Sequence, residues 1–416
     1  MTKKNIIQVF EHSFLATGDK GFHNRHFVAL SKLNALHEYQ YFDLKHNGVV
    51  FKQYVGVIQI DGLTIEILPK IDRYESDTEE TKKKWQNVLI QMLKATRKLK
   101  IQQVGQANVS RQSIHLLDIY FEWFLDEVQL LIHQGLIKQY YKQTGNVNAL
   151  KGKLEFAGHI QRNLVHKERF YTTHHVYEKD HLIHQILKQA LEIIAELSKG
   201  TYIDGKCKTV QLNFPEVKAL QANEKTFLKV PRSRKNAPYE TALSIARLII
   251  LNYAPNISGG SEKMLALLFD MNRLWEEYVL VKLKQAAEGS EISIYGQNSK
   301  PFWNGIHIRP DIVVKKEDKV KLIIDTKWKN IDQPQPSTHD LRQMYVYNEY
   351  WNSENSLLLY PANNVQGNTN VFYQFVPLKS DSHHHCGLGK ISVLDEEGRL
   401  DPDIGKKIFD TFITKA

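Results

Sequence analysis

Two short apolar runs near the C-terminal third of the chain place the strongest constraint on its fold. They occupy residues 306–314 and 320–328, and the charged residues 315–319 separate them. Both runs are rich in β-branched residues and are short, as strands usually are. The sequence therefore predicts a β-hairpin at this point.

Acidic residues sit at matching places on the two predicted strands. Side chains alternate along a strand, so Asp325 and Lys327 lie on the same face. If the turn centres on Asp318, Asp311 falls opposite Asp325, with the two Cβ atoms roughly 5 Å apart. Carboxylates this close repel each other, so the pattern predicts a bound cation between them. Oxygen ligands of this kind favour a hard ion such as Mg²⁺.

The order Pro310-Asp311 followed by Asp325-Thr326-Lys327 resembles the PD-(D/E)xK nuclease superfamily. The resemblance implies that Asp311 and Asp325 are metal ligands and that the Thr326 carbonyl is a third. It also implies that Lys327 is catalytic, orienting the attacking water and offsetting negative charge. The motif is short, and a surface hairpin with solvated charges is the alternative interpretation.

Two flanking segments extend this resemblance. Residues 265–280 show apolar residues at helical spacing, and Glu276 on this predicted helix is the expected further metal and catalytic residue. Glu277 is the less favoured choice. Downstream, Ser337 predicts the start of a helix that carries Gln343, which would position water or phosphate. Taken singly, each of these residues is also compatible with an ordinary polar position on a helix.

Longer segments are similar to the McrC family, the nuclease subunits of McrBC modification-dependent restriction systems. The similarity runs from about Phe51 to Gln343, with Trp275 where the family usually has Phe. The segments that carry it are residues 54–60, 65–71, 135–140, 150–154 and 269–276.

This resemblance implies a DNA endonuclease subunit that uses Mg²⁺ and acts on DNA containing modified cytosine. It further implies a separate McrB-like AAA+ GTPase ring, which the chain binds and stimulates, with docking expected through the N-terminal two-thirds. The chain itself has no P-loop, since six residues separate Gly145 from Gly152 and Leu154 follows Lys153. Two alternatives are a stand-alone PD-(D/E)xK endonuclease without GTP dependence and a non-catalytic activator or adaptor of the motor.

Composition agrees with a polyanionic partner. The chain has 416 residues, with 55 basic and 46 acidic side chains and a net charge of +9. Its two cysteines, Cys207 and Cys386, are too few and too distant for a disulfide framework. No apolar run approaches the roughly 20 residues of a membrane span, and the N-terminus lacks a signal-peptide core. We therefore expect a cytoplasmic protein without membrane association.

The expected fold class is α/β (α+β) with several domains. Residues 1–105 predict a β-rich N-terminal domain for partner docking, with strands at 5–10, 54–60 and 65–71 and an amphipathic helix at 82–93. Residues 106–255 are predicted to be mainly helical. Residues 256–416 are expected to form a PD-(D/E)xK restriction-endonuclease-like domain with a mixed central sheet flanked by helices.

Two further features are weaker. The basic segment 230–238, bracketed by prolines, could contact phosphates, but a solvated loop is the favoured interpretation. The tract His383-His384-His385-Cys386 contains metal-ligand types, yet four adjacent residues cannot converge on one tetrahedral ion. We expect a loop with incidental affinity for transition metals.

Overall fold

The structure, a computed structural model, describes most of the chain. The described residues are 5–36, 41–60, 62–71, 76–98, 115–231, 233–254, 264–329, 336–362, 370–376 and 383–414. They form two compact units, one of residues 4–106 with 256–416 and the other of residues 107–255. The first and last of the three predicted segments thus share one unit. The separate roles expected for these segments, partner docking for the first and nuclease activity for the last, stay predictions.

Nineteen strands lie within the described residues. In chain order they are β1 (Asn5–Phe10), β2 (Phe14–Ala16), β3 (Phe42–Lys45), β4 (Gly48–Phe51), β5 (Tyr54–Ile60), β6 (Leu63–Leu68), β7 (Gln139–Val147), β8 (Lys153–Leu154), β9 (Phe170–Glu178), β10 (Tyr253–Ala254), β11 (Met264–Asp270), β12 (Ile292–Gly296), β13 (Lys300–Trp303), β14 (Ile306–Ile308), β15 (Ile312–Lys316), β16 (Lys319–Thr326), β17 (Asn355–Ala362), β18 (Asn370–Gln374) and β19 (His385–Ser392).

Eleven α-helices lie within the same residues. They are α1 (Asn24–Leu36), α2 (Glu79–Ala95), α3 (Leu116–Gln134), α4 (Phe156–Asn163), α5 (Leu182–Leu197), α6 (Tyr202–Asn213), α7 (Glu224–Leu228), α8 (Glu240–Leu251), α9 (Met271–Ala286), α10 (Thr338–Trp351) and α11 (Ile404–Ile408). The chain is thus a mixed α/β protein with several sheets, as the sequence predicted.

One sheet of the first unit joins N-terminal strands to a later one. Its order within this unit is β1-β6-β5-β11, with β1 parallel to β6 and β5 antiparallel to both of its neighbours. Strands β1 and β5 have the predicted limits, because each is a short apolar run with β-branched residues. Helix α2 also forms where predicted. Its buried face contains Trp85, Val88, Leu89 and Met92.

The second sheet of this unit carries the residues of the predicted site. Its order is β12-β15-β16-β17-β19-β18, with β16, β17 and β19 parallel and the outer strands antiparallel. Helix α10 covers one face, where Met344 and Trp351 pack on Val313, Ile323 and Leu358. The core at this face is continuous, so the strands beneath α10 are held in fixed positions.

The second unit contains the predicted helices and a sheet that was not predicted. Helices α3, α5, α6 and α8 pack against one another. Strands β7, β9 and β8 form an antiparallel sheet in the order β7-β9-β8 within the segment expected to be mainly helical. That expectation is corrected for these strands. Most side chains of β7 are polar or exposed, so the sequence there lacks the apolar alternation that signals a strand.

Two predicted elements have different limits. Residues 264–270 are strand β11, and the helix of Glu276 begins at Met271, where the Asp270 side chain caps it. The continuous apolar run of β11 pairs with β5, so burial on a sheet overrides the helical spacing. The first apolar run of the predicted hairpin is also divided. Residues 306–308 pair with β13, and only β15 pairs with β16.

Membrane insertion finds no support in the helices. Among the residues that the structure describes, no helix combines the length and apolar character needed to cross a bilayer.

Candidate active site

The facing position of Asp311 and Asp325 depends on a β-bulge. The turn between β15 and β16 is the two-residue pair Glu317-Asp318, both with positive φ, as a tight hairpin requires. If the strand pairing continued from this turn without interruption, Asp311 would lie opposite Ile324. Its side chain would then point to the face of the sheet away from Asp325. Lys321 is an extra residue in β16, and beyond it Ile312 pairs with Ile324. Asp311, one residue earlier, therefore lies opposite Asp325, as predicted.

The two carboxylates have different hydrogen-bond partners. Oδ2 of Asp311 accepts from the backbone N–H of Thr326 at 2.7 Å and from its hydroxyl at 3.0 Å. Oδ1 of Asp325 accepts from Nε2 of Gln343 at 3.3 Å, and its Oδ2 lies 2.7 Å from Nζ of Lys327. The sequence-predicted Asp311, Asp325, Thr326, Lys327 and Gln343 are thus brought into one constellation.

Burial and neighbouring negative charges raise the pKa values of both aspartates. Asp325 is only 2% exposed. Burial, followed by the charge of Asp311, raises the pKa of Asp325. Burial, followed by the charge of Glu276, raises the pKa of Asp311. Each carboxylate therefore favours a bound proton or a bound cation over a bare negative charge.

Lys327 stays protonated at this site. Burial lowers the pKa of Lys327, but the neighbouring Asp325 and Asp340 outweigh burial and raise it. The Nζ atom lies 3.6 Å from Oδ1 of Asp340, whose Oδ2 lies 3.3 Å from Nζ of Lys329. Asp340 was not predicted as a site residue, although it stands in the first turn of the helix that Ser337 caps. It gives Lys327 a second carboxylate neighbour besides Asp325.

A short relay extends from the site along α10. Nε2 of Gln343 donates to the hydroxyl of Tyr347 at 2.8 Å, and this hydroxyl donates to the Arg309 carbonyl at 2.9 Å. The sequence did not identify Tyr347. Its position four residues after Gln343 places both on one face of the helix. The relay ties the helix to the segment just before Asp311.

Glu276 lies near the pair without joining it. Its Oε1 is 3.5 Å from Nε2 of Gln297, and burial raises its pKa. Its charge in turn acts on Asp311. Glu277 is engaged elsewhere, with Lys98 Nζ at 2.8 Å from its carboxylate. Of the two adjacent glutamates, Glu276 is therefore the one whose charge reaches the site.

The donor set suits a hard cation that keeps part of its water shell. Within the described part of the chain, no group of three or more His, Cys, Asp or Glu side chains is arranged to hold a metal ion. Asp311 and Asp325 supply two carboxylates, and their raised pKa values show that a positive charge would relieve them. Mg²⁺ is commonly held by one or two carboxylates together with water and substrate phosphate oxygens.

The buried carboxyl group of Glu11 binds Trp328, which lies just after strand β16. Trp328 follows Lys327 and donates from Nε1 to Oε1 of Glu11 at 2.8 Å. The same oxygen accepts from the backbone N–H of Lys70 at 2.9 Å. The Trp328 ring also contacts Trp275, at 5.4 Å between centroids. The segment that carries Lys327 is thereby linked to the N-terminal residues Glu11 and Lys70.

The two weaker sequence features have separate outcomes. The histidine tract is not wholly a loop, because β19 begins at His385, where the backbone pairs with β17. Nε2 of His384 lies 3.2 Å from Glu349, and Cys386 is buried.

In the basic segment 230–238, Arg232 lies outside the described residues. The phosphate-binding role of this segment stays a prediction.

Comparison with known proteins places the site within a family. The model of the McrBC 5-methylcytosine restriction system component matches residues 49–361, which include all of the site residues named above from Glu276 to Tyr347. The chain belongs to this McrBC family. The match begins within β4, so it covers β5, β6 and β11 of the N-terminal sheet as well as the carboxylate pair.

Individual relatives agree with the family. The chain is 24% identical over 291 residues to the type IV methyl-directed restriction enzyme EcoKMcrBC of Escherichia coli K12, covering 63% of this chain and 81% of the relative. A McrC chain bound to McrB AAA+ hexamers of Thermococcus gammatolerans has the same fold, with a TM-score of 0.69 and 18% identity. The match covers 99% of this chain and 100% of the archaeal one. A second structure of the Thermococcus gammatolerans McrBC complex matches with a TM-score of 0.51 and 18% identity, over 68% and 88% of the two chains.

Proposed function

We propose that this McrBC-family chain is the DNA-cleaving subunit of a restriction complex that acts on DNA with modified cytosine. The single observation that carries the proposal is the facing Asp311–Asp325 pair, with Nζ of Lys327 2.7 Å from Asp325, inside the region that matches the family. Two facing carboxylates can hold a metal ion, and a protonated lysine beside them can offset charge on a phosphate, which suits metal-assisted phosphodiester hydrolysis.

The proposed roles follow from the contacts. Asp311 and Asp325 would hold Mg²⁺, with the Thr326 carbonyl as a third protein ligand, and Glu276 would act on the ion through its charge. When bound, the ion polarises the phosphate and lowers the pKa of a coordinated water. Lys327, kept protonated by Asp325 and Asp340, orients the attacking water and offsets charge on the phosphate.

The fold of the first unit supports a PD-(D/E)xK assignment. The carboxylates lie on the antiparallel pair β15–β16, and β16 continues into a parallel pair with β17. Helices α9 and α10 contact this sheet and carry Glu276 and Gln343, respectively. A mixed central sheet flanked by helices supports the proposed nuclease assignment.

The second part of the proposal is association with a GTP-hydrolysing AAA+ ring. The related archaeal McrC is bound to McrB AAA+ hexamers. In this chain, Phe156, Ile160 and Leu164 recur every four residues along α4 and its C-cap, and they are 71%, 61% and 73% exposed. A contiguous exposed apolar stripe of this kind marks a protein-binding surface. We propose that it docks on the ring and that docking stimulates GTP hydrolysis.

Cleavage of cytosine-methylated and unmethylated plasmid tests the proposal. Each reaction contains Mg²⁺, with or without GTP and the AAA+ partner. Wild type, Asp325→Ala and the exposed control Glu291→Ala are compared. We expect methylation-dependent cutting by the complete complex, no cutting by Asp325→Ala, and unchanged cutting by the control. GTPase stimulation should survive in Asp325→Ala.

Three other results would change the proposed function. Cutting by the chain alone without GTP would favour a stand-alone endonuclease. GTPase stimulation without any cutting would favour a non-catalytic activator. Cutting by Asp325→Ala at the wild-type rate would show that the carboxylate pair is not the reaction centre.

A further inference from the structure

An open cleft adjoins the candidate active site. Its volume is about 650 Å³, and it lies between α10 and the β13–β14 hairpin. Gln343 lines the cleft and also donates to Asp325, so one side chain separates the cleft from the carboxylate pair. A substrate that reaches Asp311 and Asp325 from this side must lie in it.

The charge in this cleft is cationic. Arg309 and Arg342 line it together with His307 and His339, and no carboxylate contributes to the lining. All four side chains belong to exposed residues. Within the described residues, neither arginine makes a salt bridge, whereas Arg273 and Arg399 pair with nearby glutamate or aspartate. Glu276 and Arg309 interact only through their charges, so both arginines of the cleft keep their guanidinium N–H donors available to bind phosphate oxygens.

The hairpin beside the cleft presents an exposed aromatic tip. Strands β13 and β14 are joined by Asn304-Gly305, and Trp303 at the tip is 71% exposed. A bulge at Phe302 directs that ring against Tyr350, with centroids 5.5 Å apart. The hairpin is thereby braced on α10 while Trp303 remains free to contact a ligand. An exposed indole at the tip of a hairpin that lines a cationic cleft offers a stacking surface for a nucleic-acid base.

We propose that this cleft is the DNA-binding groove of the chain. Arg309 and Arg342 bind backbone phosphates next to the scissile one, and Trp303 stacks on or between bases at the edge of the groove. This inference rests on the proposed function, because it assigns the substrate-binding surface of the same site. The inference adds Arg309, Arg342 and Trp303, none of which is a metal ligand or a proton donor in the reaction.

Fluorescence anisotropy with a short labelled duplex, in EDTA and over a salt series, tests the phosphate contacts. The variants are Arg309→Ala and Arg342→Ala. Lys316→Ala, at the far end of β15, is the control for removal of one exposed positive charge. Loss of one phosphate contact should reduce the salt dependence by about one ion, which is about fivefold in affinity near 0.15 M salt. The double variant should bind roughly 30-fold more weakly, and the control should bind like the wild type.

A base analogue tests the aromatic tip. A duplex that contains 2-aminopurine brightens when the analogue is unstacked. We expect brightening with the wild type and none with Trp303→Ala, whose affinity should fall at least fivefold with an unchanged salt dependence. Trp303→Phe should restore most of the signal.

The outcomes separate the groove from the proposed function. If wild type binds and cuts DNA and the arginine variants match Lys316→Ala, the groove is wrong while the function stands. If Trp303→Ala binds DNA normally but loses the AAA+ ring, the tip contacts protein and the stacking assignment is overturned. If the wild type neither binds nor cuts DNA, alone or with the ring, both proposals are refuted.

Discussion

The buried carboxyl of Glu11 gives a stability prediction that does not depend on catalysis. Glu11 is 1% exposed, and its Oε2 accepts no hydrogen bond. The nearest basic group, Nε2 of His12, lies 3.7 Å away, and burial lowers the pKa of that histidine. Ionised Glu11 thus lacks full compensation for burial. The change Glu11→Gln keeps one oxygen for Trp328 and Lys70 and removes the titration.

The size of the effect follows from the pKa. Burial raises the pKa of Glu11 from 4.5 to about 7, against the hydrogen bonds from Lys70 and Trp328. A difference of about 2.5 pKa units corresponds to about 3 kcal/mol of unfolding free energy. The folded-state pKa is the higher one, so the folded state binds the proton more tightly. The stabilisation is complete below pH 4.5 and is lost as pH rises through about 7.

Urea unfolding followed by tryptophan fluorescence measures this difference. Trp328 contacts both Trp85 and Trp275 in the same unit as Glu11, and of the six tryptophans only Trp123 lies in the other unit, so most of the signal reports the unit of Glu11. Between pH 4.5 and pH 7.5, wild type should lose about 3 kcal/mol relative to Glu11→Gln. The exposed Glu291→Gln is the control for removing one carboxylate. Parallel pH profiles for wild type and Glu11→Gln would refute the inference that this carboxyl is buried and protonated.

Three more predictions concern the site and the partner surface. Because burial and Asp311 raise the pKa of Asp325, Asp325→Asn should raise the melting temperature in EDTA at neutral pH, and Mg²⁺ should stabilise only the wild type. Deleting Lys321 removes the bulge and should lower cleavage by about 10²-fold or more with little change in circular dichroism, whereas Lys321→Ala should cut normally. Ile160→Asp should weaken binding to the AAA+ ring by roughly 30-fold in a pull-down or titration, while Leu212→Asp, at an apolar residue that is more exposed, should not.

Local sequence patterns predicted many elements well. The β-branched runs predicted β1 and β5, and the Ser337 cap predicted the start of α10. Sequence patterns failed where a segment did not show the spacing of apolar residues that is typical of its secondary structure. The apolar run before Met271 resembled a helix but is a buried strand. The β13–β14 hairpin was missed, although Asn304-Gly305 between β-formers is its usual signal.

Within the candidate site, the sequence predicted the residue types better than their partners. Asp311, Asp325 and Lys327 were identified because strand alternation and their spacing are local properties. Asp340 was missed because its effect on Lys327 depends on how α10 packs on the sheet. Glu11 was missed because it lies 317 residues from Trp328 in the chain.

The sequence by itself determined that a hairpin would carry two aspartates and a lysine, since alternation and turn residues act over a few positions. Only the tertiary structure decided that the carboxylates face each other, because the bulge at Lys321 corrects a register that the turn alone would set differently. It also decided which charges remain unpaired beside them. Arg309 and Arg342 meet in one cleft through the packing of α10 against a separate hairpin. Such contacts between distant segments depend on three-dimensional packing, which short-range periodicity does not encode.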